Sequence, residues 1–336
     1  MRAWQITRNF SIEDLALNTL AEPSPGPGQI VVAVKAVSLN FRDLLITRGL
    51  YSKKVPLPLT ICSDAAGVVA LVGAGVTRVK PGDRVAGLFM PAWIGGEVNE
   101  AKARSALGAF AQGVLAEGVV FSEEAVVKVP DHLNWEEAAT LPCAALTAWN
   151  ALVVEGNIKA GDTVLVQGTG GVSIAALQIA RICGANVIAT TSRDEKAKRL
   201  KELGAEHVIN YNSTQDWDEQ ARKLTGGVGV DHVVEIGGAA TMNKSIRAVR
   251  IGGRISLIGN RAAGHSDVNL TGALMKAVRI QGIFVGSREM FEAMNRALAL
   301  HHVSPVVDRV FEMDEARAAL GYLDSGAHFG KVVIRV

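Results

Sequence analysis

One ten-residue stretch, Val164-Leu-Val-Gln-Gly-Thr-Gly-Gly-Val-Ser173, constrains this chain of 336 residues more than any other. An apolar run of strand length ends at Gly168, and an apolar run of helical period follows over 172–183. Gly168, Gly170 and Ser173 take the three places of a G-x-G-x-x-G pattern. The first glycine permits a tight strand-to-helix turn, and the second lets backbone approach a pyrophosphate. The helix start behind them offers unpaired N–H groups and the positive end of its dipole. The third place needs only a small side chain, so serine is a mild departure. Glycine spacing alone says little. Gly73 and Gly75 show it too, but Lys80-Pro-Gly-Asp83 follows and no helix does, so that pair reads as a turn between strands. Set between strand and helix, the Gly168 loop reads as a dinucleotide site and not as a plain strand–turn–helix.

The surrounding grammar agrees. Strand patterns at 163–167, 186–190, 207–210, 232–235 and 254–258 alternate with helical patterns such as 172–183 and 195–203. This predicts an α/β unit, a doubly wound parallel sheet covered on both faces. The part before residue 130 differs. Strands at 30–37, 67–72 and 83–89 are separated by Gly- and Pro-rich turns, which suggests a compact barrel-like domain. From about residue 290 one helix and a closing strand, 331–336, are expected, and that lone strand should return to the first domain. The expected division is 1–127 with 288–336 as one domain and 128–287 as the dinucleotide-binding one.

The end of the second strand of the α/β unit speaks to the cofactor. NAD-binding units place an acidic residue there for the ribose hydroxyls. Here the strand ends in Thr191, and Ser192, Arg193 and Lys196 can donate to a 2′-phosphate. Asp194 and Glu195 favour the start of the next helix. The expectation is NADP(H) ahead of NAD(H).

Several stretches together resemble the medium-chain dehydrogenase/reductase superfamily over almost the full length. They are Leu39-Asn-Phe-Arg-Asp43, Arg48-Gly-Leu-Tyr51, Cys62-Ser-Asp-Ala-Ala-Gly67, Lys80-Pro-Gly-Asp-Arg-Val85, Leu141-Pro-Cys-Ala-Ala-Leu-Thr147, Gly168-Thr-Gly-Gly-Val172, Leu203-Gly-Ala205 and His328-Phe-Gly-Lys-Val332. Within it the chain is similar to the zinc-independent, quinone oxidoreductase-like branch. The resemblance implies a Rossmann domain joined to a GroES-like, β-barrel-type domain. Zinc members of the superfamily hold a catalytic metal with Cys, His and Cys, where this chain has Asn40, Ser63 with Asp64, and Cys143. A stable zinc site needs about three ligands of the Cys/His/carboxylate kind, so no catalytic zinc is expected. The stretch 89–120 has no Cys or His, so no structural zinc is expected either. Cys143 reads as a buried small residue or a reactive thiol, and Asp64 as a structural carboxylate or the orienter of a catalytic water.

The resemblance also implies a cofactor site. Asn40 and Thr147 would lie beside the nicotinamide, and Gly170, Gly171 and Val172 along the pyrophosphate. Ser192, Lys196 and Tyr211 would surround the 2′-phosphate, although Tyr211 reads equally as a surface aromatic. Gly259, Phe284, Val285 and Gly286 would flank the nicotinamide ribose, and Lys331 would close the site. Asn40, Asp43 and Tyr51 are the candidates for orienting substrate. Asp43 reads also as a tie for Arg42 or a loop, and Tyr51 as packing on the barrel.

With 35 Lys and Arg against 33 Asp and Glu, no basic run and 5% aromatics, the chain gives no reason to expect a nucleic-acid partner. The first residues lack a leader-type apolar run, 172–191 is too polar to span a bilayer, and three scattered cysteines make no disulfide framework. The expectation is a cytoplasmic enzyme, without membrane contact, acting on a small carbonyl substrate. It would reduce a quinone or enone with NADPH and without metal. The alternatives are a metal-free alcohol or aldehyde dehydrogenase and a non-catalytic NADPH-binding protein. An apolar edge strand over 280–285 suggests a homodimer. The segment 89–113 could shape substrate access or a subunit contact.

Overall fold

The computed structural model describes residues 1–52, 54–259 and 267–336. It has two compact units, Met1–Leu146 with Val285–Val336, and Thr147–Phe284. Among the described residues, no helix is long and apolar enough to cross a membrane.

In chain order the first unit contributes β1 (Arg2–Ile6), β2 (Leu15–Thr19), β3 (Gln29–Ser38), β4 (Leu59–Thr60), β5 (Asp64–Val72), β6 (Arg84–Gly87), β7 (Gly118–Ser122) and β8 (Val126–Lys128). The second contributes β9 (Thr163–Gln167), β10 (Asn186–Thr191), β11 (His207–Asn210), β12 (Val230–Glu235), β13 (Val249–Leu257) and β14 (Arg279–Gly282). The chain then returns to the first unit with β15 (Val307–Glu312) and β16 (Lys331–Arg335).

The second unit is a parallel sheet in the order β11-β10-β9-β12-β13-β14. Its inner strands read as near-continuous Val/Ile/Leu because helices cover both faces. Leu165, Val233 and Ile255 are fully buried, each on a different strand of one core. The order reverses between β9 and β12, so the carboxyl ends of these two strands flank the crevice where such sheets take ligands.

The first unit is built on β3, whose apolar run is buried on nearly every residue. One edge of β3 pairs with β5. The other is shared: β7 takes Gln29–Ala33 and β16 takes Ala36–Ser38. A separate three-stranded sheet, β2-β1-β4, packs into the same core through Trp4, Ile6, Leu15 and Leu59. The lone closing strand expected for this unit is β16, but it has company. The strand β15 and the helix Ala316–Asp324 precede it, and β15 pairs with β16 in parallel. The sequence hid β15 because Val307–Glu312 alternates with charge and is mostly half-exposed at a sheet edge. The stretch 128–146, read as the start of the α/β alternation, packs with the first unit. Arg335 pairs with Glu136 at 2.7 Å, and the Cys143 N–H donates to Asp64 Oδ2 at 3.1 Å.

Close packing of β3 on β5 depends on Gly67, where an added Cβ would stand 2.2 Å from the Ala33 carbonyl oxygen. Gly67→Ala is expected to destabilise the first unit by about 2 kcal/mol through overpacking. Gly321, inside the helix Ala316–Asp324, has open space at its Cβ position. Gly321→Ala should be neutral or stabilising by about 0.5 kcal/mol. Denaturant midpoints of the two variants against the parent measure the contrast.

Candidate active site

The carboxyl ends of β9 and β12 carry the glycine loop of the second unit. Gly168 follows β9 with φ of 70°, a left-handed turn that a side chain resists. An added Cβ at Gly170 would meet only open space, and Gly170 heads the helix Gly171–Ile182 with no side chain capping it. The leading N–H groups, including those of Gly171 and Val172, therefore lack a side-chain cap, an arrangement that fits a dinucleotide pyrophosphate. Ser173 explains its departure from glycine: it is buried, and its hydroxyl donates to the Gln167 carbonyl at 2.6 Å.

Beneath this loop lies a clasp that sequence reasoning missed. Glu235, at the end of β12, is fully buried and accepts from five donors. These are Gln167 Nε2 (2.8 Å), the Gly237 and Gly238 N–H groups (2.8 and 3.0 Å), Thr241 Oγ1 (2.5 Å) and Ser245 Oγ. A buried carboxylate is tolerated because it is so fully hydrogen-bonded. It ties β9 to β12 where their order reverses. The only signal in the sequence is a glutamate closing an apolar strand, Val233-Val-Glu235.

At the end of β10 the structure draws several expected residues together. The Tyr211 N–H donates to the Thr191 carbonyl (2.9 Å), and Asn212 Nδ2 to the Ser192 carbonyl (2.9 Å). Thr191 is buried, and its hydroxyl accepts from the Arg193 N–H (3.3 Å). The Arg193 side chain is exposed and meets Glu195 only at 3.4 Å, Tyr211 is exposed, and Lys196 is buried. Thr147 is buried in the short helix Leu146–Trp149, between two π-helical turns. Gly259 packs against the Ile236 backbone, and Phe284 is exposed.

In the first unit a chain of polar contacts links residues far apart in sequence. Lys331 Nζ donates to the Leu39 carbonyl (2.5 Å) and to Asn40 Oδ1 (2.6 Å). Asn40 Nδ2 faces Ser63 Oγ at 3.5 Å, and Ser63 Oγ donates to Asp64 Oδ1 at 2.7 Å. The backbone N–H of Asn40 donates to Asp43 Oδ2 at 2.7 Å, so Asp43 holds Asn40 at the head of the helix Phe41–Thr47. Asn40, Asp43, Ser63, Asp64 and Lys331 are all buried. Val285, at φ of 47°, and Gly286 are also buried in this unit, and Gly286 packs on Leu146. Tyr51 stands outside the chain of contacts. Its ring is 6.4 Å from Phe110, and the Arg42 guanidinium lies 5.0 Å from it. Arg42 also covers Phe89 and donates to the Leu107 carbonyl.

The segment 89–113 and its continuation back the site. The Gly113 N–H donates to the Thr60 carbonyl, and the Val114 N–H to the carbonyls of Ile61 and Cys62. These bonds hold Cys62 at φ of 68°, immediately before Ser63. Burial pushes the thiols of Cys62 and Cys143 up, and the Asp64 carboxylate adds to the effect at both. Neither is poised as a thiolate.

The family resemblance raises the question of zinc, and the donors answer it chemically. Asn40 and Ser63 are poor ligands, and the Lys331 ammonium bonds the Asn40 oxygen. Among the described residues, no three His, Cys, Asp or Glu converge as a metal site. This set does not fit a catalytic zinc.

Burial pushes Asp64 up, opposed by the Lys331 charge and by hydrogen bonds from Asn40 and Ser63. Asp43 is pushed up to about 6, chiefly by burial, with Arg42 and the Asn40 N–H opposing. Its Oδ1 is buried and has no partner. A carboxyl raised by folding contributes stability that is present below the ordinary carboxyl range and lost as pH rises through about 6. Asp43→Asn keeps an acceptor for the Asn40 N–H and removes the titration. Its stability relative to the parent should rise by up to about 3 kcal/mol between pH 4 and pH 7, measured by denaturant titration of both proteins across that range.

Comparison with known proteins agrees with this architecture. Residues 171–299 match the zinc-binding dehydrogenase family, and residues 26–131 match the alcohol dehydrogenase GroES-like domain. A zinc-type alcohol dehydrogenase-like protein of Schizosaccharomyces pombe is 44% identical over 316 residues, covering 92% of this chain and 91% of its own. The crystal structure of an NAD-dependent alcohol dehydrogenase superposes with a TM-score of 0.92 at 35% identity, covering all of both chains. That of the Escherichia coli quinone oxidoreductase complexed with NADPH gives 0.85 at 25% identity, again covering both chains fully. The Rossmann-like sheet, the GroES-like unit and these relatives together make the chain a member of the medium-chain dehydrogenase/reductase family and an NAD(P)H-dependent oxidoreductase.

Proposed function

We propose that the protein reduces conjugated carbonyl compounds, enones or quinones, with NADPH and without a metal. The observation that carries this reading is the polar chain Lys331–Asn40–Ser63–Asp64, in which Asn40, Ser63 and Asp64 stand where zinc relatives keep ligands. Without a Lewis acid, carbonyl charge must be met by hydrogen-bond donors. An isolated ketone is demanding under those conditions. A conjugated acceptor is easier, because hydride adds at carbon and the charge spreads to oxygen as an enolate or phenolate, which a proton then neutralises.

In this reading the first unit is the substrate domain and the second the dinucleotide domain. The nicotinamide, when bound, supplies the hydride. The Gly168–Val172 turn holds the pyrophosphate, and Thr147, Gly259, Phe284, Val285 and Gly286 bound the nicotinamide end. Asn40 donates its amide N–H to the substrate oxygen, Asp43 fixes the Asn40 backbone, and Tyr51 lines the approach. The named relatives point to both cofactors, one complexed with NADPH and one NAD-dependent. What favours NADPH here is the end of β10, where Thr191 replaces an acid and the Arg193 side chain is exposed beside Ser192, Lys196 and Tyr211.

Fluorescence titration should show tighter binding of NADPH than NADH. Arg193→Asp should weaken NADPH by at least about tenfold and leave NADH nearly unchanged. Turnover on a panel of enones, quinones, aldehydes and secondary alcohols should be confined to the first two. Oxidation of alcohols alone would instead support the dehydrogenase reading, and tight NADPH binding without turnover the non-catalytic one.

The reading includes a homodimer. All four residues of the edge strand β14 are exposed, and Leu270, Leu274 and Met275 on the helix that precedes it in the chain are 70–77% exposed. The strand is shorter and more polar than the apolar 280–285 edge expected from sequence, but as the unpaired edge of the sheet, with Ile280 on it, it is a template for pairing with a second copy. Light scattering at micromolar concentration should give twice the chain mass of 35.4 kDa. Ile280→Lys should shift it to monomer, and a monomeric parent protein would remove the dimer from the reading.

A further inference from the structure

We infer that Lys331 is a positioning residue that fixes which end of the Asn40 amide faces the reacting oxygen. The two residues are 291 apart in sequence and meet through the sheet. The antiparallel register pairs Val333 with Ser38 and Ile334 with Val37. The Leu39 N–H extends the ladder by donating to the Val332 carbonyl at 2.9 Å. The same register brings Lys331 opposite Asn40, where side chains of paired strands touch.

An ammonium donates and cannot accept. The amide atom that meets Lys331 Nζ at 2.6 Å is therefore the oxygen, and the nitrogen must turn the other way. It turns toward Ser63 Oγ and the Asp64 carboxylate, which favour a donor. Both ends of the amide thus specify one orientation. The 3.5 Å contact to Ser63 is long and leaves Nδ2 with donor capacity for an incoming oxygen. A flipped amide would present its own oxygen there and repel the negative charge that develops.

Two further features suit Lys331 to this task. It is buried, and its second bond, to the Leu39 carbonyl, anchors it to the residue before Asn40. It also balances charge: Arg42 and Lys331 together face the buried carboxylates Asp43 and Asp64. Two of the ammonium's three hydrogens are committed to the Leu39 carbonyl and the Asn40 amide oxygen.

The inference rests on the proposed role of Asn40, and the test separates the two. Lys331→Met, Asn40→Ala and the double variant are compared for kcat and for NADPH affinity by fluorescence titration without substrate. Each single variant should lower kcat by about tenfold to a hundredfold. The double variant should be no slower than the slower single, because Lys331 acts through Asn40. NADPH affinity should stay within about twofold throughout. If the methionine variant does not fold, Lys331→Gln, close in volume, repeats the cycle with the same expected non-additivity. Loss of NADPH binding with kcat intact would overturn the inference and make Lys331 a cofactor ligand. Losses in kcat that multiply in the double variant would overturn it as well. If the parent turns over alcohols alone, the reaction reading fails and the cycle is measured on those alcohols. A stability cycle on the cofactor-free variants tests the Lys331–Asn40 contact itself, and additive losses there would remove it.

Discussion

Antiparallel pairing between β3 and β16 joins the early part of the chain to its end, and the polar site of the first unit depends on it. The pairing completes the edge of β3 that β7 leaves open, and it buries Val332 and Ile334 in the core. It also delivers the Lys331 charge beside Asn40, where two buried carboxylates need a counter-ion. A lysine and two aspartates could not be buried separately at tolerable cost, and the half-buried Arg42 adds a second positive charge beside them. Buried together, they hold a short loop, a helix start and a terminal strand in one arrangement.

The second unit solves a similar problem differently. Where its strand order reverses, two neighbouring strand ends diverge and leave backbone groups without ladder partners. Glu235 and Gln167 collect those groups, with serine and threonine hydroxyls completing the set. The glycine loop is anchored from below, with the Gly168 N–H donating to Thr190 Oγ1 and the Ser173 hydroxyl to the Gln167 carbonyl. In both units a buried acidic side chain fixes the placement of backbone brought from separate elements.

Much of this was legible in the sequence. The glycine loop, the alternation after it and the β-rich first part are local patterns, fixed by periods of two and 3.6 residues and by turn chemistry. Asn40, Ser63, Asp64 and Cys143 could be singled out because motifs around them carry a family resemblance. The expectation of a single tail helix and strand overlooked β15, whose alternation with charge suits an edge but carries little apolar signal. Glu235 gave almost no signal, since a glutamate at a strand end is ordinary until its five donors are seen.

The sequence by itself determined the fold class and the glycine turn between β9 and the helix that follows it, because each follows from residue type and near-neighbour spacing. Only the tertiary structure decided which way the Asn40 amide turns, what Lys331 bonds and how Glu235 is satisfied. Those outcomes depend on partners brought from as far as 291 residues away. Register and burial set such partnerships, and no local pattern encodes them.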